Sequence, residues 1–495
     1  MPAEILKSLY WMGPEVILVG FLVVIFLCDG LMPKTRENFV PLYLTVVGCG
    51  LAALMTWKLG GERSVFFSGL VANDGLTELF RYVFFFSAAA GLYLSYGSKE
   101  LETKSRVEFS LLLLCVTFGL SLMAISTHFL MLYIGIETVS IISFVMAGFN
   151  RDSLRSNEAS FKYLMFGALS SGLMIYGFSL IYGYTGSLQY GEIAKHLQAN
   201  AGNLPFAVTL ALLMVYAGIA YKISAFPLHF WTPDVYEGAP TPVAAFFSIG
   251  PKAAGFAALI RVLLEVLSVK SPTGGWQPVA GTHLTEGLAL VSVATMLVGN
   301  LSALGQTSVK RILAYSSIAH VGYMLMGLVT LQKDGIAAVL FYLVIYCLMN
   351  MGAFWVVSIV ADAEGGDTLD KFRGMGWKTP VLGVCMAVFL FSLTGIPLFS
   401  GFIGKFLLFG AVLQVPGLLW LALIGVLNSV ISLYYYAKIL KVFWLDQPEA
   451  GGGTLTLSPY HAVGVIALAV PTVVLGLFFM PVLEFAQKSL AHFMG

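Results

Sequence analysis

The sequence predicts an all-α integral membrane protein of about fourteen transmembrane helices, with two inverted five-helix repeats that each contain a broken helix. Three observations carry this expectation. Hydrophobic residues make up 58% of the 495 and charged residues 11%, with a mean hydropathy of +0.87, whereas an ordinary soluble domain is about a quarter charged. The apolar residues fall in runs close to the ~20 that cross a bilayer. A proline-broken run with a nearby lysine occurs twice, at Pro227 and Pro397, 170 residues apart.

Marked off by charged or Pro/Gly-rich breaks, the spans run near 14-32, 40-58, 78-97, 107-125, 128-148, 158-183, 205-237, 241-267, 285-304, 311-330, 335-360, 380-415, 417-443 and 460-482. The first, PEVILVGFLVVIFLCDG, has neither a basic leader nor an A-x-A site and reads as a retained span rather than a signal peptide. An even count puts both termini on one side. The chain divides into an N-terminal three-helix segment (1-100), a first repeat (101-268), a second, inverted repeat (285-445) and a C-terminal transmembrane helix (446-495).

Lysine and arginine set the orientation. Loops after odd-numbered spans hold fourteen of them: Lys34, Arg36, Lys99, Lys104, Arg106, Arg151, Arg155, Lys310, Arg311, Lys371, Arg373, Lys378, Lys438 and Lys441. The other side and its span ends hold nine: Lys7, Lys58, Arg63, Arg81, Lys195, Arg261, Lys270, Lys333 and Lys488. The termini are therefore expected to face away from the cytoplasm.

Four basic residues of the 27 are left, Lys162, Lys222, Lys252 and Lys405, and all fall inside spans. Glu137, in LYIGIETVSIISF, also lies at membrane depth. A charge at the bilayer centre costs from about 3 to over 10 kcal/mol, so such residues normally face protein or water and serve function. The bland alternative for any one of them, and for Lys162 near a span end above all, is a snorkelling lysine or a structural ion pair. The net charge of +1 gives no basic stripe for nucleic acid. The five cysteines stand singly in apolar runs, without CxxC or a histidine partner, and read as packing residues.

In YKISAFPLHFWTPDVYEGAPTP, Pro227 lacks an N–H and clashes with the preceding turn, so the seventh span is expected to break. Lys222 then sits at the C-terminal end of a half-helix, where free carbonyls favour a cation. Broken helices at membrane depth line polar cavities in ion transporters. A plain proline kink is the alternative, but it gives no reason for the lysine. In FLFSLTGIPLFSGFIGKFLLFG, Pro397 and the glycines at 395, 401 and 404 repeat the device in the twelfth span. Five spans separate the two breaks, and because five is odd the copies enter the membrane from opposite faces, making spans 4-8 and 9-13 an inverted pair. Lys405 follows its break and is expected near a half-helix N-terminus, whose positive dipole end disfavours a cation.

LYIGIETVS, FKYLMFGALSSG, YKISAFPLHFWTPDVYEGAPTPVAAFF, TSVKRILAYSSIAHVGY and SLTGIPLFSGFIGKF resemble the antiporter-like membrane subunits of respiratory complex I, over roughly residues 100-445. The wording PDVYEGAPTPV and GFIGKF, with the chain length, resembles more narrowly the bacterial subunit N branch of that family. The resemblance implies a proton-pumping part of an NADH:quinone oxidoreductase in the bacterial inner membrane, with periplasmic termini and other membrane-arm subunits, antiporter-like and small, beside it. NADH, FMN, iron-sulfur clusters and quinone are expected in partner subunits, with no cofactor, metal or redox site in this chain. It also assigns roles: Glu137 as the acid paired with the seventh-span lysine, Lys222 as the central protonatable group, Lys162 as the sixth-span lysine between them, and Lys252 as the connecting lysine. His320 continues the axis into the second repeat and Lys405 marks the exit half-channel. A lone membrane histidine is equally often a helix-to-helix hydrogen-bond partner. Tyr221 stands where the family varies and is assigned no role.

Two other classes stay open. A free-standing sodium/proton antiporter would share the fold and the lysines. A passive scaffold subunit would make the buried lysines dispensable. A quinone-reducing enzyme would need a flavin or cluster site, and no Gly-rich dinucleotide loop or CxxC stands in the sequence.

Overall fold

A computed structural model describes residues 2–31, 39–101, 106–271, 275–447 and 456–494. Of the residues used for orientation, Lys34, Arg36 and Lys104 lie outside these. Among the described residues thirteen helices are long and apolar enough to cross a membrane. They are Gly13–Gly30, Val40–Leu59, Gly75–Gly97, Arg106–Ile125, Phe129–Ala147, Leu154–Thr185, Phe206–Ile223, Thr241–Glu265, Leu284–Leu304, Val309–Val329, Lys333–Glu364, Leu419–Trp444 and Pro459–Leu477. The expected twelfth span falls in two shorter apolar helices, Pro380–Thr394 and Ser400–Leu413.

Boundaries follow capping chemistry more than hydropathy. The sixth span starts at Leu154, not 158, because Ser153 accepts the N–H of Ser156, and it ends at Thr185 where Gly186 takes a left-handed conformation (φ 72°). Polar residues do not stop a helix that is otherwise well capped, so this span and the eleventh each run 32 residues. Asp74 and Ser308 cap the third and tenth spans in the same way, accepting from Thr77 and Arg311.

The face that carries the termini also holds elements the sequence reading did not anticipate. Two antiparallel hairpins, Ser64–Phe66 with Val71–Asn73 and Ser268–Lys270 with Trp276–Pro278, and a helix, Tyr190–Ala199, lie in its loops. The strands are three residues each. They are too short for period-2 alternation to register in sequence.

The core runs through spans 8, 10 and 11, which are almost wholly buried, while spans 1, 2, 6 and 13 show broad apolar faces. Two arginines placed by sequence at span ends prove to be buried inside membrane helices. Arg81, in the third span, is clamped by both oxygens of Glu15 at 2.8 and 2.9 Å and donates to Asn73 at 2.7 Å. Arg261, in the eighth, holds Asp74 through two bonds of 2.8 and 3.0 Å and donates to the carbonyl of Ala124 at 3.0 Å. A guanidinium fork matched to a carboxylate leaves no charge unpaired, which makes such burial tolerable.

Candidate functional site

The seventh span stops at Ile223, four residues before Pro227, where the missing N–H would have left a carbonyl unpaired. Ser224 takes a left-handed conformation (φ 64°), residues 224–230 run as turns, and a second half-helix spans Trp231–Gly238. The backbone N–H of Phe226 is taken up by the hydroxyl of Thr295 in the ninth span, at 3.0 Å. Lys222 occupies the last turn of the first half, 1% exposed, and its ammonium has no hydrogen-bond partner among the described residues. It lies 5.7 Å from the ring centre of Tyr221. Glu137, half-buried in the fifth span, accepts a hydrogen bond from Ser171. A buried ammonium without a partner is expensive in hydrocarbon. Ser224 and Thr232 also carry unpartnered buried hydroxyls.

From Lys222 the polar groups continue sideways. The eighth span packs close against it, so that a Cβ on Gly255 would sit 3.4 Å from the Cβ of Lys222. One turn earlier on that span, Lys252 donates to the hydroxyl of Ser317 at 2.7 Å. Ser317, His320 and Tyr323 lie three residues apart and share one face of the tenth span. His320 is held at both ring nitrogens, by Tyr342 at 2.7 Å and Tyr436 at 3.1 Å. The Lys405 ammonium lies 4.8 Å from the ring centre of Tyr323. The structure thus brings Lys222, Lys252, His320 and Lys405 into one buried row that runs from the seventh span through the eighth and tenth to the twelfth, with Glu137 half-buried in the fifth span.

Lys405 departs from the expectation about its dipole. The twelfth span breaks at Gly395 (φ 91°), with Pro397 and Leu398 (φ 82°) in the turn, and restarts at Ser400. The lysine side chain reaches back across the break and donates to the carbonyl of Thr394 at 2.8 Å and to Ser429 at 2.9 Å. Its ammonium therefore meets the negative end of the preceding half-helix, not the positive end of its own. Lys405 thus ends up on a carbonyl of the first half-helix although it follows its break, whereas Lys222 lies in the last turn before its break with no carbonyl partner among the described residues.

Lys162, expected between Glu137 and Lys222 with a structural ion pair as the alternative, is found in such a pair. The structure pairs it with Asp234 and Glu158, each at 2.7 Å, with its side chain 36% exposed. Asp234 comes from the second half-helix, a position hydropathy alone leaves in the middle of a motif. Sequence reasoning also missed Ser317, Tyr342, Tyr436 and Ser429, because hydroxyl residues are common in helices and only packing tells which ones face a lysine. Tyr221, assigned no role, donates its hydroxyl to the carbonyl of Tyr163 at 2.9 Å and accepts the indole N–H of Trp231 on its own carbonyl at 3.0 Å. Among the described residues no group of three His, Cys, Asp or Glu side chains is arranged to hold a metal.

A family model described as NADH:quinone oxidoreductase/Mrp antiporter, TM, matches residues 126–432. The chain is 44% identical over 500 residues to NADH-quinone oxidoreductase subunit N 2 of Sorangium cellulosum, covering 98% of this chain and 97% of the relative. It is 39% identical over 502 residues to NADH-quinone oxidoreductase subunit N of Chlorobium chlorochromatii, covering 99% and 96%. Among solved structures it is similar to a chain of respiratory complex I from Thermus thermophilus with bound aureothin, with a TM-score of 0.77, 32% identity, and 96% and 99% of the two chains covered. A chain of the Mrp complex from Dietzia sp. has a TM-score of 0.83 over 99% of this chain and 97% of that one, and at 22% identity it shares the fold. With full-length relatives at this identity and the membrane-arm architecture around its lysine row, the chain belongs to the NADH-quinone oxidoreductase subunit N family of antiporter-like membrane subunits.

Proposed function

We propose that this subunit carries protons along the row Glu137, Lys222, Lys252, His320 and Lys405, driven by electron transfer in other subunits of the complex. The observation that carries the reading is Lys222, an ammonium buried in a membrane helix, at a break, without a hydrogen-bond partner among the described residues. A group so placed is poised to gain or lose its proton as nearby charge changes, and Glu137 supplies such a charge. The hydroxyls of Ser317, Tyr342, Tyr436 and Ser429 then give each later group a neighbour that can pass a proton. Lys162, neutralised by two carboxylates, sits outside the row as a charge of its mouth.

NADH, FMN, iron-sulfur clusters and quinone are placed in partner subunits, and this chain in the bacterial inner membrane. The termini face the periplasm, so that the face opposite them is cytoplasmic, as its excess of lysine and arginine in the loops supports. The stand-alone antiporter reading has fold likeness behind it, whereas subunit N relatives match over nearly the full length at 44% identity.

The test is Lys222→Ala in the assembled complex. An alanine leaves the helix intact and removes an unpaired buried charge, so assembly survives. NADH-driven proton pumping is expected to fall to a small fraction, while vesicles stay as tight to protons as with wild type. Normal pumping by an assembled variant would overturn the row.

A further inference from the structure

The half-helix Trp231–Gly238 is tied at both ends, and the two ties come from different halves of the molecule. At its start, Trp231 is 1% exposed, stacks on Tyr163 with ring centres 4.4 Å apart and lies tilted against Tyr221 at 5.3 Å. Its indole N–H is bonded to the carbonyl of Tyr221, the residue before Lys222. Lys162, next to Tyr163, lines a cavity of about 240 Å³ with Arg155, Glu158, Asp234, Glu237 and Arg311, on the face opposite the termini.

At its other end the half-helix is held by two consecutive residues of the tenth span, which belongs to the second repeat. Arg311 bonds Asp234 at 2.6 Å and Glu237 at 2.7 Å, two carboxylates three residues apart on one face of the half-helix. Lys310, buried, donates at 2.9 Å to the carbonyl of Ala239, the residue that ends the half-helix. The segment between the ties is short and flanked by non-helical backbone, Ser224 in the left-handed region before it and Pro240 after it.

We propose that Arg311 is a positioning residue for proton transfer: its grip on Asp234 and Glu237 keeps Trp231 stacked between the open cavity and Lys222, and its release lets the half-helix swing and admit protons. The tenth span also carries Ser317 and His320, so the second repeat holds the entrance to the first through the same helix that continues the row. The proposal rests on the reading of Lys222 as the relay group. It gives Lys162 a place as well, since it stays paired with Asp234 when Arg311 lets go, with Glu158 as its second carboxylate.

The experiment uses the whole complex in sealed vesicles, comparing wild type with Arg311→Gln and Glu237→Gln. Two quantities are read: the decay of an imposed pH gradient without NADH, and the protons moved per electron with it. Loss of a half-buried ion pair of about 1 kcal/mol shifts an open-to-closed balance by roughly fivefold. Arg311→Gln, which loses both pairs, is expected to speed the passive decay by at least that factor and lower the proton-to-electron ratio, with Glu237→Gln lying between it and wild type. Should Arg311→Gln fail to assemble, Glu237→Gln carries the test alone. An assembled variant of either kind that is as tight and pumps as well as wild type would overturn the latch. Failure of the relay reading is read separately, as normal pumping by an assembled Lys222→Ala complex.

Discussion

At Lys405 the ammonium is satisfied by the carbonyl of Thr394 and the hydroxyl of Ser429, and the charge has no carboxylate in ion-pair contact among the described residues. Two roles fit such a group, a fixed cation that pins the break or a carrier that releases its proton each cycle. Lys405→Arg separates them. A guanidinium can bond both oxygens, so the break stays pinned, but it remains protonated under all working conditions. A fixed cation would tolerate the change. The proposed relay predicts that the assembled Lys405→Arg complex loses most of its NADH-driven pumping, nearly as badly as Lys405→Ala, measured as protons per electron in sealed vesicles.

At the scale of elements, the twelfth span needs its second half to press against its first. The Ser392 hydroxyl accepts the backbone N–H of Gly401 at 3.0 Å across the break and donates to the sulfur of Met349 at 3.2 Å. A Cβ built on Gly401 would lie 1.8 Å from the carbonyl oxygen of Ser392, and backbone cannot step aside as a side chain can. Gly401→Ala is therefore expected to displace one half-helix from the other, at a cost of about 1–3 kcal/mol for forced overpacking, and to move Lys405 off Thr394. Gly410, on the same half-helix, has nothing within 4 Å of its Cβ position. Gly410→Ala is the control. Thermal stability of the extracted complex and its pumping should fall for the first and not for the second.

Across the whole molecule, buried arginines join segments that are remote in sequence. Arg261 fastens the eighth span to Asp74, which caps the third span through Thr77, so one carboxylate both starts a helix and ties the N-terminal segment to the first repeat. Removing one partner of a buried pair leaves the other charge uncompensated, at about 3–5 kcal/mol. Arg261→Ala is expected to abolish stable incorporation of the subunit, read as loss of intact complex on native gels. Arg63, a third exposed and 3.8 Å from Glu265, makes the contrast: Arg63→Ala leaves Glu265 paired with Arg261 at 3.0 Å and is expected to leave assembly intact.

The sequence alone determined what depends on solvent and backbone. A chain this apolar can only be satisfied in lipid, its runs set the span count, and two prolines without N–H groups marked both broken helices. It also exposed five of the row's members, since a charged or imidazole side chain inside an apolar run has nowhere cheap to hide. Partnership was decided only by the tertiary structure. Whether a lysine is bare, like Lys222, or neutralised, like Lys162, depends on which carboxylate a remote helix delivers, and Asp234 and Lys162 are 72 residues apart. Direction was hidden in the same way: Lys405 lies after its break in sequence, yet its flexible stem carries the charge back to the carbonyl before it. Hydrogen-bonding hydroxyls such as Ser317 and Tyr436 carry no sequence signal, because they cost little when unpaired at a surface and matter only where packing aims them at a buried charge.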